Sequence, residues 1–271
     1  MLNSLQTSYG QQVDDATLQQ VAGFNHQIGR IDGQSLNAHE AADRCQEHLQ
    51  NGLAPLITLR RPDQTVMLPE GVFGVELWNE PELHKSTDDP ALSPEEYRAR
   101  AQEMAEGCPT GIQLYGPTIA NLNRRGLDYL HKVWPLPERF KVSMHRYPYG
   151  DKPQSPHPGA SSRADEVRQL RDIIGDRAFG VSECGYHTAL RKYDDWRRNF
   201  FPRVHPPSWI DPQIVEFRKW ERRFWEEQGA EFLSWFCLDD GPRDIPDHRS
   251  GIRYWNTVED RPGDWKPQAR A

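Results

Sequence analysis

Short apolar runs alternate along the chain with longer segments whose apolar residues recur at helical spacing. This is the pattern of repeated βα units around a parallel sheet. The runs Ala54–Leu59 (APLITL), Gly71–Leu77 (GVFGVEL), Lys141–His145 (KVSMH), Ala178–Ser182 (AFGVS) and Glu231–Phe236 (EFLSWF) predict strands. Phe24–Ile31 and a run opening at Ile112–Tyr115 add two more, and Leu2–Ser8 is the weakest, since it holds only two large apolar residues. Helices are expected over DDATLQQVA, His39–Asn51, a segment opening at Ser93-Pro94-Glu95-Glu96, Leu127–Val133, Arg163–Ile174 and Pro212–Gln228. In the third of these, Ser93 suits an N-cap and Pro94 the first helical turn. Eight strands, each followed by helix or long loop, predict a (β/α)8 barrel occupying residues 1–271 as a single domain. A doubly wound sheet would alternate similarly, but it calls for a Gly-rich loop after the first strand, which this sequence lacks.

In such a barrel the chemistry lies at the C-terminal ends of the strands. Those ends carry Gly29-Arg30-Ile31-Asp32, Trp78-Asn79-Glu80-Pro81, Gly116-Pro117-Thr118 with Asn121, His145-Arg146-Tyr147, Ser182-Glu183-Cys184-Gly185-Tyr186-His187 and Trp235-Phe236-Cys237. Glu80 and Glu183 sit on the fourth and seventh strands, across the mouth from one another. Two carboxylates facing across a cleft are what glycoside hydrolysis needs: one protonates the leaving oxygen, the other attacks or activates water.

The charge balance narrows the partners. With 33 Lys and Arg against 40 Asp and Glu the net charge is −7, which argues against nucleic acid or an anionic membrane surface. Mean hydropathy is −0.85, and no run approaches the roughly 18 apolar residues of a transmembrane helix. Nine Trp, nine Tyr and ten Phe in so hydrophilic a chain suit stacking on sugar rings. The expected partner is therefore a carbohydrate, bound by a monomer. The first residues show no basic or apolar region of a secretory signal, so the protein is expected to be cytoplasmic, or secreted with its signal removed.

Trp78-Asn79-Glu80-Pro81 and Glu183-Cys184-Gly185-Tyr186 resemble the two signatures of the retaining glycoside hydrolases of clan A, which include the cellulase-like family five and family thirty-nine. The resemblance covers about residues 20 to 268. It implies Glu80 as acid/base, Asn79 as a ligand of the sugar 2-hydroxyl and Glu183 as nucleophile. It also implies that Tyr147, in the H-x-Y segment His145-Arg146-Tyr147, and Arg30 support the nucleophile, and that Trp235 lies under the sugar. Cys184 departs from the aromatic or aliphatic residue more common after the nucleophile. Burial and the neighbouring negative charge are expected to keep Glu80 protonated in the resting enzyme.

The segments 146–162 and 191–209 form long loops beside the mouth, and loops of this length in a compact domain are usually functional. The second interleaves Arg and Lys with aromatic residues, among them Trp196, a candidate stacking platform. His145, Tyr186 and His187 complete the expected substrate-binding set. The histidines have no HxH or HExxH spacing, so neither a metal nor a cofactor is expected. The cysteines Cys45, Cys108, Cys184 and Cys237 form no CxxC pair and are expected as free thiols, with Cys184 and Cys237 the one pair that neighbouring strands bring close. A non-catalytic carbohydrate-binding barrel and a transglycosylase with the same residues are the alternatives.

Overall fold

A computed structural model describes residues 1–9, 13–83, 91–147, 154–185, 191–192, 203–204, 207–236, 253–256 and 261–266. Eight parallel strands close into a barrel: β1 (Leu2–Tyr9), β2 (Ile28–Asp32), β3 (Ala54–Leu59), β4 (Gly74–Leu77), β5 (Leu114–Ile119), β6 (Phe140–Arg146), β7 (Phe179–Cys184) and β10 (Phe232–Trp235). The helices between them are α1 (Asp15–Gly23), α2 (Ala38–Gln50), α3 (Pro94–Gly107), α4 (Arg124–Val133), α5 (Arg163–Ile174) and α6 (Pro207–Glu227). Two small antiparallel ribbons, β8 (Arg191–Lys192) with β9 (Arg203–Val204) and β11 (Arg253–Asn256) with β12 (Arg261–Trp265), stand outside the barrel sheet. The fold is a (β/α)8 barrel. No helix among the described residues is long and apolar enough to cross a membrane.

The weakest expected strand closes the barrel. β1 pairs with β10 from Leu2↔Phe232 to Leu5↔Trp235, and with β2 from Ser4↔Ile28 to Tyr9↔Asp32. Its faint signal has a physical cause. Leu5 joins the apolar layer between strands and helices, whereas Gln6 bonds to Arg30 inside the barrel. A strand whose inner face is polar cannot show the continuous apolar run of an ordinary parallel strand.

Helix starts follow their caps. Asn37 with Glu40 and Ser93 with Glu96 form capping boxes on α2 and α3, and Ser162 caps α5, satisfying backbone N–H groups that the first turn leaves open. Phe24, expected in a strand, instead follows α1 as its C-cap, and β2 begins only at Ile28 because Asn25 turns the chain with φ 66. Between β3 and β4 the crossover carries no α-helix, only a 3-10 turn at Pro62–Thr65.

Inside the barrel the lower layer is aromatic. Ile28, Leu56, Tyr115 and Phe232 are fully or almost fully buried there, with Phe73 against them. The Tyr115 and Phe232 rings meet edge to face at 5.3 Å, and Phe73 meets Phe232 at 5.5 Å, the geometry the ring quadrupole favours. Gly180 lies on β7 beside this plug, where a Cβ would overlap the Phe232 ring. We predict that Gly180→Ala lowers stability by about 1–3 kcal/mol through overpacking. Urea unfolding checks this, and an unchanged midpoint with an unchanged slope would show that the plug is not tightly packed.

Candidate active site

Above the plug the interior turns polar, and two breaks in strand regularity aim the acidic residues. The first is at the end of β4. Trp78 has φ 64 and Glu80 φ 51, values that non-glycine residues adopt only when the surroundings impose them. The surroundings are visible: Trp78 N–H donates to Leu59 O at 2.9 Å, Glu80 N–H donates to Thr118 O at 2.9 Å, and Asn79 N–H donates to the Gln34 side chain at 3.2 Å. The Trp78 ring is buried beneath the guanidinium of Arg60, 4.4 Å from its centroid, with that of Arg100 at 5.2 Å.

The second break is a bulge in β7. Met144↔Val181 is followed on β6 by His145↔Glu183, and Leu233↔Val181 is followed along β10 by Trp235↔Cys184. Both neighbours therefore meet one extra residue in β7. Strict alternation would put Glu183 on the same face as Val181, toward the helices; the bulge turns it inward. Bulges re-aim side chains in this way beside functional sites.

The two glutamates meet at His145. Its Nδ1 lies 2.8 Å from Glu80 Oε1 and 3.4 Å from Glu183 Oε2, and the three donor atoms fall within 4.8 Å of one another. The Glu80 side chain is 14% exposed against 6% for Glu183, so the first is the more open to water. Tyr147 donates its hydroxyl to Glu183 Oε2 at 2.6 Å. Arg30 donates from Nη1 to Glu183 Oε1 at 2.7 Å, from Nη1 to Gln6, from Nη2 to Asn79 Oδ1 at 3.2 Å and from Nε to Glu76 Oε2 at 2.6 Å.

These contacts set the charges. Burial opposes the Arg30 cation, but Glu76 and Glu183 together outweigh it and hold the guanidinium more firmly protonated than usual. Burial likewise opposes ionisation of Glu76, yet Arg30, helped by His145, brings its carboxyl below the ordinary range. Glu82, buried beside this group, goes the other way: desolvation raises its carboxyl although the Ala120 N–H donates to it at 2.7 Å. Glu80, His145 and Glu183 have the donor types a divalent cation takes. Arg30 and Tyr147 already engage both Glu183 oxygens, however, and the Arg30 charge opposes a second cation there.

The sequence-expected residues thus divide into three groups. Arg30, Asn79, Glu80, His145, Tyr147 and Glu183 come together. Trp235 does not join them. Its ring faces outward against α6, with Phe217 at 6.4 Å and the Arg218 guanidinium at 4.1 Å, and its indole N–H donates to Asn3 at 3.0 Å. The next residue turns toward the mouth instead: Phe236 meets the Tyr147 ring edge to face at 5.8 Å. Tyr186, His187, Trp196 and Cys237 lie outside the described residues. Cys45, Cys108 and Cys184 are buried free thiols.

Three residues that pattern reading missed hold the site. Glu76 sits two positions before Trp78, and a lone charge in an apolar barrel strand was its signal. Gln34 accepts hydrogen bonds from Asn79 N–H and from Arg60. His157, in the loop after β6, donates from Nε2 to Asn121 Oδ1 at 2.9 Å, and the same oxygen accepts from Tyr147 N–H at 3.2 Å. Beneath that loop Arg163 grips Glu221 through both nitrogens, at 2.6 and 3.1 Å, and Glu166 at 2.9 Å, tying α5 to α6.

No protein-family model and no curated protein matches the sequence. Solved structures do match in fold. The GH5_18 protein from Streptomyces cattleya in complex with GlcNAc aligns over 99% of this chain and 78% of its own at TM-score 0.62 and 12% identity. The family 17 β-1,3-glucanosyltransferase from Rhizomucor miehei aligns over 98% and 94% at TM-score 0.59 and 13% identity. The family 30 subfamily 8 xylanase from Clostridium acetobutylicum aligns over 98% and 68% at TM-score 0.59 and 9% identity. The shared fold is the (β/α)8 barrel. At these identities the likeness is one of fold, and what the site does must come from its own geometry.

His157 yields a pH test. Burial, with Arg146 and Arg163 adding to it, pushes its imidazole down to about 3, against about 6.5 in an unfolded chain. Below pH 6.5 the unfolded chain takes up a proton that the folded one refuses. The stability that the neutral ring contributes is therefore complete above that pH and is lost as pH falls toward 3. Between pH 7 and 5 the wild type should lose up to about 2 kcal/mol through this one group, and His157→Gln should lose correspondingly less. Denaturant unfolding at the two pH values checks it; equal losses in both proteins would place the acid sensitivity elsewhere.

Proposed function

We propose that the protein is a glycosidase that cleaves β-glycosidic bonds with net retention. Glu183 attacks the anomeric carbon while Glu80 gives its proton to the departing oxygen. The C–O bond to the leaving group breaks as the ester to Glu183 forms. Glu80, now a carboxylate, takes a proton from water, whose oxygen displaces Glu183 and frees the sugar. The observation that carries this reading is the 4.8 Å limit on the spacing of the Glu80 and Glu183 donor oxygens. Inverting enzymes keep their carboxyl groups about 6.5–9.5 Å apart to admit a water, whereas retaining ones need only about 5 Å.

The surroundings support the same division of labour. Glu183 is held by Arg30 and Tyr147, as a nucleophile fixed in an attack trajectory should be. Glu80 is the more exposed, as a group that meets water in the second step should be. Asn79 accepts from Arg30 through Oδ1, so its amide N–H2 is left to donate to the sugar 2-hydroxyl. Phe236, in the position expected for Trp235, offers a ring beside Tyr147. A second reading, transfer to a sugar acceptor in place of water, is favoured by the glucanosyltransferase among the structural neighbours; it uses the same covalent intermediate.

Azide separates the two glutamates. Glu80→Ala loses general acid and base help, typically worth about 10²–10⁴-fold, but keeps its nucleophile. An aryl β-glycoside with a good leaving group should still form the intermediate, and azide should release it as the β-glycosyl azide. Glu183→Ala should be inactive on every substrate, and azide can then yield only the α-product. NMR of the products reads the outcome. An α-azide from Glu80→Ala, or near-normal turnover by Glu183→Ala, would overturn the assignment.

A further inference from the structure

Glu76 touches no part of the cleft, yet it shares its cation with the proposed nucleophile. Its side chain is fully buried, and Oε2 accepts from Arg30 Nε at 2.6 Å and from the Thr58 hydroxyl at 3.1 Å. With Nε bound to Glu76 and Nη2 bound to Asn79, Arg30 has only Nη1 for Glu183. The fork that would ordinarily clasp a carboxylate through two nitrogens therefore gives Glu183 a single hydrogen bond.

We propose that Glu76 is a positioning residue for Glu183, the permanent counter-ion that keeps Arg30 from neutralising the nucleophile and stays behind when that nucleophile loses its charge. The inference rests on the proposed role of Glu183. When Glu183 attacks a sugar its carboxylate becomes a neutral ester. Arg30 would then be a buried cation without a partner, a costly state. Glu76 keeps the cation paired through the covalent intermediate, so that forming the ester strands no charge. Before attack, its negative charge offsets part of the Arg30 field at Glu183.

The charged and titratable groups around the pair come from several elements. Arg30 faces both carboxylates from β2, Glu80 stands at the end of β4, and His145 and Tyr147 face Glu183 from β6 and the residue after it. Glu82 adds to the field at Glu80 and Asp32 to that at Arg30, while Tyr97 and Tyr115 feel Glu76 from α3 and β5. Arg30 is the cation that Glu76 and Glu183 have in common.

The test compares Glu76→Gln, which keeps an oxygen for Nε and Thr58 but removes the charge, with Glu76→Asp, which keeps the charge on a shorter arm. Carboxyl carbons of ¹³C-glutamate-labelled protein are followed by NMR against pH, with Glu183 and Glu76 assigned through their own glutamine variants; thermal melting verifies that both variants are folded. Glu76→Gln should lower the Glu183 titration midpoint by about one pH unit or more, as loss of a close like charge does. Glu76→Asp should leave it near wild type. In wild type, Glu76 should remain ionised throughout the range over which Glu183 titrates. In stopped-flow assays with an aryl β-glycoside, Glu76→Gln should slow formation of the intermediate about 10²-fold, move the acid limb of kcat/KM down with the NMR midpoint, and leave breakdown of the intermediate unslowed. An unmoved Glu183 midpoint in Glu76→Gln overturns the proposal, as does Glu76→Asp behaving like Glu76→Gln, or a wild-type Glu76 that titrates with Glu183. Failure of the glycosidase reading shows separately, as Glu183→Ala retaining activity, and the NMR arm needs no turnover.

Discussion

The guanidinium of Arg30 is a buried cation bearing two carboxylates, and its donors join strands far apart in the sequence: β1 through Gln6, β4 through Glu76 and Asn79, and β7 through Glu183. A charge in the interior is tolerated only if its hydrogen bonds and its counter-charges are both supplied. Each partner strand must therefore reach its register before Arg30 is satisfied. The same requirement that makes the barrel mouth specific brings Glu183 and Asn79 to one point. Positioning chemistry and folding specificity rest here on the same hydrogen bonds.

Around that cation the barrel is built in two layers. The aromatic plug of Tyr115, Phe232 and Phe73 fills the lower interior and excludes water from below. In the polar layer above it Glu80 is partly exposed, and Arg30 and Glu76 are fully or almost fully buried. Regular strands alone would not deliver both glutamates to this layer. β7 needs its extra residue to turn Glu183 inward, and β4 needs positive φ at Trp78 and Glu80 to turn the acid across the mouth. Local irregularity is concentrated at the candidate site and held by neighbours such as Thr118 and Leu59.

Much of this was legible in the residues, for identifiable reasons. Strands β3 to β7 and β10 show as apolar runs because their outer faces pack against helices, and WNEP and ECGY show because they end such runs. The position of Trp235 was not legible. Along β10 the side chains alternate regularly from Phe232 in the aromatic plug, which sends Leu233 and Trp235 toward the helices and turns Phe236 to Tyr147, and the short run EFLSWF does not itself say on which face that alternation starts. Glu76, Gln34 and His157 were missed for a different reason. Their partners lie 46, 45 and 36 residues away, and no local pattern records such pairings. β1 looked weak because its inner face is polar, with Gln6 bonded to Arg30, and its outer face carries Asn3 and Thr7 beside Leu5.

The central claim is that Glu183 forms a covalent bond to the sugar while Glu80 does not, and mass spectrometry reads it directly. An aryl 2-deoxy-2-fluoro-β-glycoside of a sugar the enzyme turns over forms the ester but slows its hydrolysis, so the intermediate accumulates and can be located by peptide sequencing. The account predicts one fluoroglycosyl group per chain, on the peptide containing Ser182-Glu183-Cys184, attached to Glu183 and absent after Glu183→Gln. A label on Glu80 would contradict it. So would hydrolysis of the parent substrate with no trapped ester and with inverted product.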